Sequence, residues 1–178
     1  MSDDDDAFLD PGVLPDYRAC VGIMVINHQG RVWMGRRADA PGDLEGPGEW
    51  WQMPQGGIDK GEDHRTAAMR ELFEETGIRN ADIVGRTDRW LTYEFPETIA
   101  KRAWAGRYRG QKQVWFAVRF SGDDSEINID PPAGEGHEKE FSTWEWVAPD
   151  EVTSRVVAFK REVYLAVMDQ LGRFARKP

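Results

Sequence analysis

The sequence predicts an α/β (α+β) protein in which helices cover a mixed central sheet. Extended, alternating segments occur before and after a helical segment in the middle of the chain, and a second amphipathic helix lies near the C-terminal end. The 178 residues, 40% of them hydrophobic, are enough to form one core without disulfides. We therefore expect an acidic, disordered leader at residues 1–16 and a single domain over residues 17–178.

The first half of the chain contains a hairpin followed by a loop. Residues 17–26 are apolar and β-branched, an Asn-His-Gln-Gly turn follows, and residues 31–36 resume the extended pattern. The prolines and glycines of residues 40–48 predict a loop that leads into a short extended piece at 50–54. A glycine-rich turn then precedes the middle helix.

The middle helix is predicted over about residues 63–75. Its apolar residues recur at helical spacing, and Gly77 follows in the position where glycine commonly ends a helix. Alternating apolar and polar residues then predict three strands, at 90–95, 113–120 and 141–147. A final amphipathic helix is expected over about residues 159–174.

Charge and cysteine content favour a cytoplasmic protein. The leader opens with four aspartates, unlike a secretion signal, and no segment has the roughly 18 apolar residues that a membrane span requires. The single cysteine, Cys20, lies in an apolar run, which predicts a buried thiol in a reducing compartment. Six of the 32 acids precede Tyr17, so the rest carries 26 acids against 23 bases and is only mildly acidic.

Three glutamates of the middle helix indicate metal chemistry. Glu71, Glu74 and Glu75 stand at positions i, i+3 and i+4, so their carboxylates share one face of the helix. Their mutual repulsion costs roughly a few tenths of a kcal/mol per pair, whereas an oxygen-preferring cation such as Mg²⁺ would use the same cluster as a ligand set. The alternative is a solvated acidic face with Arg70 as its counter-charge.

The glutamates belong to a longer motif with fixed spacing. From Gly56 the sequence reads GGIDKGEDHRTAAMRELFEETGI, with each glycine, glutamate and arginine of the Nudix box at its expected offset. Through this complete match the chain resembles the Nudix hydrolases. The resemblance implies a Nudix-type α/β/α sandwich with a mixed central sheet and a catalytic loop-helix-loop.

The resemblance also implies roles for individual residues. Glu71, Glu74 and Glu75 would bind Mg²⁺, with Mn²⁺ or Zn²⁺ as substitutes, and one of them or a residue outside the helix would take the proton of the attacking water. A backbone carbonyl of Gln55 or Gly56 and the late carboxylate of Glu140 would complete the metal site. Gly57, Glu62, Arg70 and Gly77 would have supporting roles. Among them, Glu62 and Arg70 would form an ion pair. We expect Arg70 on the other flank of the helix.

Outside the box, the similarity is closest to bacterial RNA pyrophosphohydrolases, which are also described as dinucleoside polyphosphate hydrolases. It extends over residues 17–172 and includes WQMPQGG at 51–57, GQKQ at 110–113 and VVAFKR at 156–161. It implies removal of pyrophosphate or phosphate from the triphosphorylated or diphosphorylated 5′ end of RNA, leaving a 5′-monophosphate. Dinucleoside polyphosphates such as diadenosine tetraphosphate are the alternative substrates, and neither DNA nor a membrane is an expected partner.

Substrate contacts are expected in several segments. The stretch 101–112 has five bases and no acid, a patch suited to polyphosphate, with a solvated loop as the alternative. By resemblance, Phe159 would stack on the first nucleobase, although the helical spacing is equally typical of a core residue. The resemblance implies further contacts to phosphates or bases from Arg18, from Arg36 or Arg37, and from Lys160. Lys112, the last base of the basic stretch, is a further candidate for binding phosphate.

Two observations bear on competing hypotheses. A Nudix-fold module that binds a nucleotide without cutting it would be expected to lack a ligand, yet all the glutamates of the motif are present. The segments 39–49 and 129–139 are longer than expected in the closest bacterial relatives and border the predicted site. They therefore bear on substrate choice more than on the reaction.

Overall fold

The computed structural model describes residues 9–10, 12–38, 50–130 and 136–176. Within them one sheet contains the strands β1 Tyr17–Ile26, β2 Val32–Arg37, β3 Trp51–Gln52, β4 Gln55–Gly57, β5 Ala81–Arg86, β6 Leu91–Glu94, β7 Gly110–Phe120 and β8 Phe141–Val147. The α-helices are α1 His64–Thr76, α2 Glu97–Ala100, α3 Val152–Arg155 and α4 Arg161–Leu171. Short 3₁₀ segments lie at Ala103–Gly106, Asp124–Glu126, Pro149–Glu151, Ala158–Lys160 and Gly172–Ala175.

The sheet is mixed, as predicted, because β1 and β7 run parallel at its centre while the other pairings are antiparallel. β1 and β2 form the predicted hairpin, closed by a hydrogen bond from Asn27 N–H to the Arg31 carbonyl at 3.0 Å. β3 and β8 pair with β2, whereas β5 and β6 pair with β7. The short β4 pairs with β1, which places the glycine-rich motif beside the central strands.

Helices cover both faces of this sheet. Even-numbered residues of β7, such as Phe116, point into a core that includes Ala67, Ala68 and Leu72 of α1. Odd-numbered residues such as Trp115 point into the second core, formed with the apolar side of α4 at Val163, Tyr164, Val167 and Leu171. The alternation of side chains along a strand thus produces the predicted α/β/α layers.

Helix α1 has a polar cap at its start and a glycine at its end. The Asp63 side chain accepts a hydrogen bond from Thr66 N–H at 3.0 Å, which satisfies a free backbone donor of the first turn. Gly77 has φ 72° and donates its N–H to the Phe73 carbonyl at 2.9 Å. The predicted helix end is therefore confirmed, since this left-handed conformation favours glycine.

The structure differs from the sequence-based expectations at three places. The strand β5 was not predicted, because its sequence, ADIVGR, combines a glycine with charged residues, and its pairing with β7 forms it. Gly56 and Gly57 do not form a turn, because they pair with Val21 and Cys20 of β1 as part of β4. The basic stretch 101–112 is likewise no single loop, since β7 begins at Gly110.

Part of the expected disordered leader is ordered. Leu9 is 1% exposed and belongs to the core beneath α1, and the Val13 carbonyl accepts a hydrogen bond from the Lys112 ammonium. Burial of an apolar side chain therefore fixes this segment despite the acids around it. Residues 1–8 and 11, the 39–49 insert, and 131–135 within the 129–139 loop lie outside the described residues. None of the described helices is long and apolar enough to cross a bilayer.

Candidate active site

Glu75 lies near the end of α1, close to the charges of Glu71 and Glu140, and we call the region around these three carboxylates the cleft. Gln55 N–H donates to its Oε2 at 3.2 Å. Burial raises the pKa of Glu75 well above its ordinary value, and the negative charges of Glu140 and Glu71 raise it further. Arg37 lowers it only in part. The structure thus brings the predicted late carboxylate, Glu140, electrostatically close to the helix carboxylates.

Glu71 packs against the backbone of Gly56. A Cβ atom at Gly56 would lie 2.0 Å from Glu71 Cδ and 2.1 Å from Oε2, so only glycine leaves room for the carboxylate. Burial raises the pKa of Glu71 to about 7, while a hydrogen bond from Arg70 opposes the rise. The glycine therefore fixes where this carboxylate can lie.

Arg70 connects the glycine-rich loop to the helix. Its Nε and Nη2 atoms each donate to a Glu62 oxygen at 2.8 Å, and Nη2 also donates to the Gly57 carbonyl at 2.9 Å. Its Nη1 atom reaches Glu71 Oε1 at 2.9 Å and Glu74 Oε2 at 3.3 Å. The Arg70–Glu62 pair is present, but the expected placement of Arg70 on the other flank was wrong, because its long side chain folds back between the carboxylates.

The carboxylates fit a divalent cation by charge and by chemistry. The negative charges of Glu140 and Glu71 raise the pKa of Glu75, and carboxylate oxygens gathered in this way are the ligands that a hard divalent cation prefers. In the part of the chain that the structure describes, no three acidic, histidine or cysteine side chains form a ready metal cage. Arg70 contacts oxygens of Glu71 and Glu74 that a cation would otherwise use.

Arg18, at the start of β1, occupies space beside the second glycine of the motif. A Cβ atom at Gly57 would lie 2.3 Å from Arg18 Nη2, so the absent side chain makes room for the guanidinium. Arg18 also contributes to lowering the pKa of Glu71, which places its charge near the carboxylates. The structure therefore brings this predicted phosphate contact to the same cleft.

A chain of five aromatic rings, which we call the aromatic row, lies beside the cleft. Successive ring centroids lie 5.4, 5.8, 5.6 and 6.3 Å apart along the series Trp104, Phe95, Tyr93, Phe159 and Trp50. Tyr93, in the middle, is hydrogen-bonded to the Gln55 side chain, and Gln55 N–H contacts Glu75. The row and the carboxylates are thus joined through one residue.

Basic side chains accompany the aromatic row. Arg18 Cζ lies 4.7 Å from the Trp104 ring centroid and Arg37 Cζ lies 5.8 Å from that of Trp50. Lys160 Nζ lies 5.6 Å from the Tyr93 centroid and 5.9 Å from that of Phe159. Cations over ring faces are electrostatically favourable, and rings with cations are the groups that bind bases and phosphates.

Two predicted substrate residues lie elsewhere. Lys112 is 1% exposed on the α1 side of the sheet, where its ammonium lies 5.2 Å from the Trp90 centroid. It is enclosed by protein and has no surface for a substrate. Arg36 is exposed on β2, and the structure brings its neighbour Arg37 to the aromatic row instead.

Several residues of the cleft were missed in the sequence. Gln52 is 2% exposed, and its Oε1 accepts a hydrogen bond from Lys160 Nζ at 3.1 Å. Tyr93 contributes to the aromatic row from β6, and Trp50 contributes from the position just before β3. The predicted strand at 90–95 was the available signal for Tyr93. Cys20 is buried as predicted, and burial raises its pKa to about 11, so the thiol is protonated at neutral pH.

The chain is also similar to known proteins in sequence. Residues 16–167 match the NUDIX domain. RNA pyrophosphohydrolases of Brucella ovis and Afipia carboxidovorans are each 51% identical to the chain, covering 91% and 89% of it and 90% and 94% of the relatives. These matches confirm the resemblance seen in the sequence.

Solved structures support the fold. The dihydroneopterin triphosphate pyrophosphohydrolase of E. coli has a TM-score of 0.61 at 18% identity, covering 86% of this chain and 95% of that one. A C. elegans Ap4A hydrolase binary complex has a TM-score of 0.59 at 17% identity, covering 85% and 96%. At these identities the likeness confirms the mixed sheet between helices.

Proposed function

This chain belongs to the Nudix hydrolase family, and we propose that it removes pyrophosphate or phosphate from the 5′ end of triphosphorylated or diphosphorylated RNA. The observation that carries the proposal is the 51% identity to RNA pyrophosphohydrolases over about nine-tenths of both chains. The product would be RNA with a 5′-monophosphate. A cytoplasmic location would give the enzyme access to this substrate, and the buried thiol of Cys20 supports a reducing compartment.

Nudix hydrolases generally depend on divalent metals, and we propose Mg²⁺ as the cation here. Glu71, Glu75 and Glu140 would hold it, with help from Glu74 and the backbone at Gly56. Bound there, the cation would neutralise phosphate oxygens, stabilise the leaving phosphate and lower the pKa of a water. The hard oxygen ligands of this set suit Mg²⁺, while Mn²⁺ remains a substitute of similar chemistry.

The protein's own groups position the reaction. Gly56 and Arg70 fix the Glu71 carboxylate from two sides, which limits its movement during catalysis. Burial raises the pKa of Glu71 to about 7 and raises that of Glu75 in the same direction, so each carboxylate is a stronger base than an ordinary glutamate when no cation engages it. Glu74 remains a third candidate for that base.

The aromatic row supports recognition of the RNA end. Phe159, whose ring lies between those of Tyr93 and Trp50, would stack on the first nucleobase. Arg37 lies over the Trp50 ring and would contact a further base. Lys160 is only 3% exposed and donates to Gln52. It would therefore support the rings of Tyr93 and Phe159 from within the protein instead of contacting the substrate. Arg18 would contact the terminal phosphates, since it lies beside Gly57 near Glu71.

The test is incubation of the purified protein with Mg²⁺ and either 5′-triphosphorylated RNA or diadenosine tetraphosphate, with products separated by mass. We expect monophosphorylated RNA together with pyrophosphate or phosphate, released faster than products of diadenosine tetraphosphate at equal concentration. Faster cleavage of the dinucleotide would favour the alternative substrate class. Hydrolysis of neither substrate would overturn the proposed function, and a Glu75→Gln sample controls for contaminating hydrolases.

A further inference from the structure

Trp104 forms the exposed end of the aromatic row. Its side chain is 42% exposed, yet its ring is stacked on that of Phe95 with centroids 5.4 Å apart and planes at 19°. Large apolar side chains on a surface are common singly, so exposure alone assigns no role. The stacking shows, however, that the ring is held in one orientation rather than projecting into solvent.

The backbone of Trp104 has an unusual conformation. Trp104 and Ala105 have φ values of 48° and 54°, and Gly106 follows with φ 74°. Residues with a Cβ atom rarely adopt this left-handed conformation, because Cβ approaches the backbone carbonyl. Such strain is found where the surroundings enforce it, and it concentrates at functional sites. Here the turn carries the indole that lies against Phe95 and the Arg18 guanidinium.

The group that this indole contacts is Arg18. The guanidinium Cζ lies 4.7 Å from the ring centroid of Trp104, and Nη1 donates weakly to Cys20 Sγ at 3.8 Å. Nη2 lies where a side chain at Gly57 would otherwise be. Among the described residues no carboxylate forms an ion pair with Arg18. Within the described ranges, the Arg18 N–H groups therefore have no protein acceptor besides Cys20 Sγ.

The chemistry of a stacked guanidinium suits a phosphate. Stacking engages the flat face of the group, whereas its N–H bonds point outward in the plane and stay available. A planar edge of two N–H groups matches two phosphate oxygens. The exposed Lys101, Arg102 and Arg107 nearby in sequence add positive charge that attracts a polyphosphate.

We propose that Trp104 is a positioning residue for the polyphosphate: its ring holds the Arg18 guanidinium beside Gly57, with the N–H edge directed to the phosphates that approach Glu71. The inference deepens the proposed function and takes the natural substrate from it. Binding at Arg18 requires only a chain of phosphates and no nucleoside. Direct stacking of Trp104 on a nucleobase is the competing role, and the experiment separates the two.

The experiment measures binding of inorganic tripolyphosphate to the full chain by titration calorimetry, with EDTA present so that neither metal nor hydrolysis contributes. Tripolyphosphate has no base, so it reports only on phosphate binding. We expect Trp104→Ala to weaken binding about 3- to 5-fold and Arg18→Ala at least about 10-fold. The double variant should match Arg18→Ala within about twofold, because Trp104 acts through Arg18.

Further variants exclude a merely structural effect. Trp104→Phe should restore binding to within about twofold of wild type, since it keeps an aromatic face. Trp104→Leu keeps an apolar side chain without that face and should bind like Trp104→Ala; it also serves if the alanine variant does not fold. Leu165→Ala removes another exposed apolar side chain, on α4, and should leave binding unchanged. None of these changes alters the net charge.

Several results would overturn the proposal. The affinity of the double variant for tripolyphosphate could fall by the product of the two single-variant factors, which would show that Trp104 acts independently of Arg18. If Trp104→Leu bound tripolyphosphate as tightly as wild type, the aromatic ring would not be needed. The same conclusion would follow if Trp104→Phe bound it no more tightly than Trp104→Leu. Absence of tripolyphosphate binding by the wild type would overturn it directly. If the predicted coupling appears but RNA is not hydrolysed, the proposed function fails and this inference stands.

Discussion

The carboxylate helix and the aromatic row lie side by side but are assembled differently. Apart from Glu140, the residues predicted to hold the cation come from residues 56–75, and helical spacing and one strand pairing set their geometry. The row takes its rings from distant parts of the chain, at the flank of β3, at β6, and at the 103–106 and 158–160 segments. Groups for the reaction are thus local in sequence, whereas groups for recognition are distributed.

Removing one helix carboxylate tests the reaction side of this comparison and should have the largest effect. Glu75→Gln preserves the shape of the side chain but removes a charge that we assign to metal binding. We expect turnover of triphosphorylated RNA to fall at least about 10²-fold with the fold intact, measured by steady-state kinetics and circular dichroism. Asp169→Asn, on the exposed part of α4, should be as active as wild type. A fully active Glu75→Gln enzyme would contradict the ligand assignment.

The contact between Gly56 and Glu71 allows a second test of the same side. In Gly56→Ala the new Cβ would overlap the Glu71 carboxylate and displace it. We expect Mg²⁺ affinity or turnover to fall about 10- to 100-fold, as when a group supporting a ligand is lost, measured by metal titration of activity. Gly172→Ala is the matched control, because its Cβ would meet only Met168 Cε at 3.6 Å. If Gly56→Ala and Gly172→Ala had the same Mg²⁺ affinity and turnover, the proposed role of Gly56 would be wrong.

Stability of the metal-free protein should depend on pH through the carboxylates. Burial raises the pKa of Glu71 to about 7 from an ordinary 4.5, and the pKa of Glu75 is raised in the same direction. Between about pH 4.5 and 7 the folded protein keeps a proton on Glu71 that the unfolded chain has released. The free energy of unfolding is therefore highest at low pH and falls as the pH rises through this range. We expect a loss of roughly 2 kcal/mol in the free energy of unfolding.

Thermal denaturation in EDTA measures this loss, and Mg²⁺ should counter it. Because protons compete with the cation, Mg²⁺ should raise Tm more at pH 8 than at pH 5. Glu71→Gln should flatten the pH profile of the metal-free protein. A Tm that rises between pH 5 and pH 7 in EDTA would contradict the inferred state of the carboxylates.

The recognition side is tested by removing one ring of the row. Phe159→Ala should raise KM for triphosphorylated RNA about 10-fold, since loss of a stacking platform typically costs about 1–3 kcal/mol. Binding of tripolyphosphate, which has no base, should be unchanged, and this gives an internal control. If both ligands weaken equally, Phe159 supports the cleft as a core residue instead of contacting a base.

Lys112 offers the smallest expected effect on activity. It lies in the basic stretch but on the opposite face of the sheet, where its ammonium contacts the Val13 carbonyl and the Trp90 ring. Lys112→Met should leave KM for RNA within about twofold while lowering stability by about 1 kcal/mol. Steady-state kinetics and denaturant unfolding measure the two. A large rise in KM would restore Lys112 to the substrate site.

The same contrast explains how much the sequence could predict. Spacing within one helix is set by backbone geometry, so the shared face of Glu71, Glu74 and Glu75, the end at Gly77 and the α/β/α layers could be predicted. The strand β5 could not, because its pairing with β7 outweighs its weak local preference. Leu9 could not be placed either, since the three apolar residues at 7–9 among acids are too few to give a periodic pattern.

Contacts between distant segments were the least predictable. Five bases in residues 101–112 indicated a phosphate patch, but strand alternation turns Lys112 towards α1 while its neighbours Gln111 and Gln113 face the other core. Tyr93 and Trp104 join the aromatic row only because β6 and the following turn fold beside Phe159 and Arg18. No spacing rule applies across such separations.

The parallel pairing of β1 with β7 also bears on how the protein is made. Tyr17 aligns with Gly110 and Ile26 with Arg119, so the two central strands are separated by the whole of residues 27–109. A nascent chain emerging from the ribosome cannot form this pair until β7 has been synthesised, and contacts of such high sequence separation form slowly. During that interval the apolar strand β1 lacks its parallel partner, and of the described strands only the earlier β2 and β4 can pair with it.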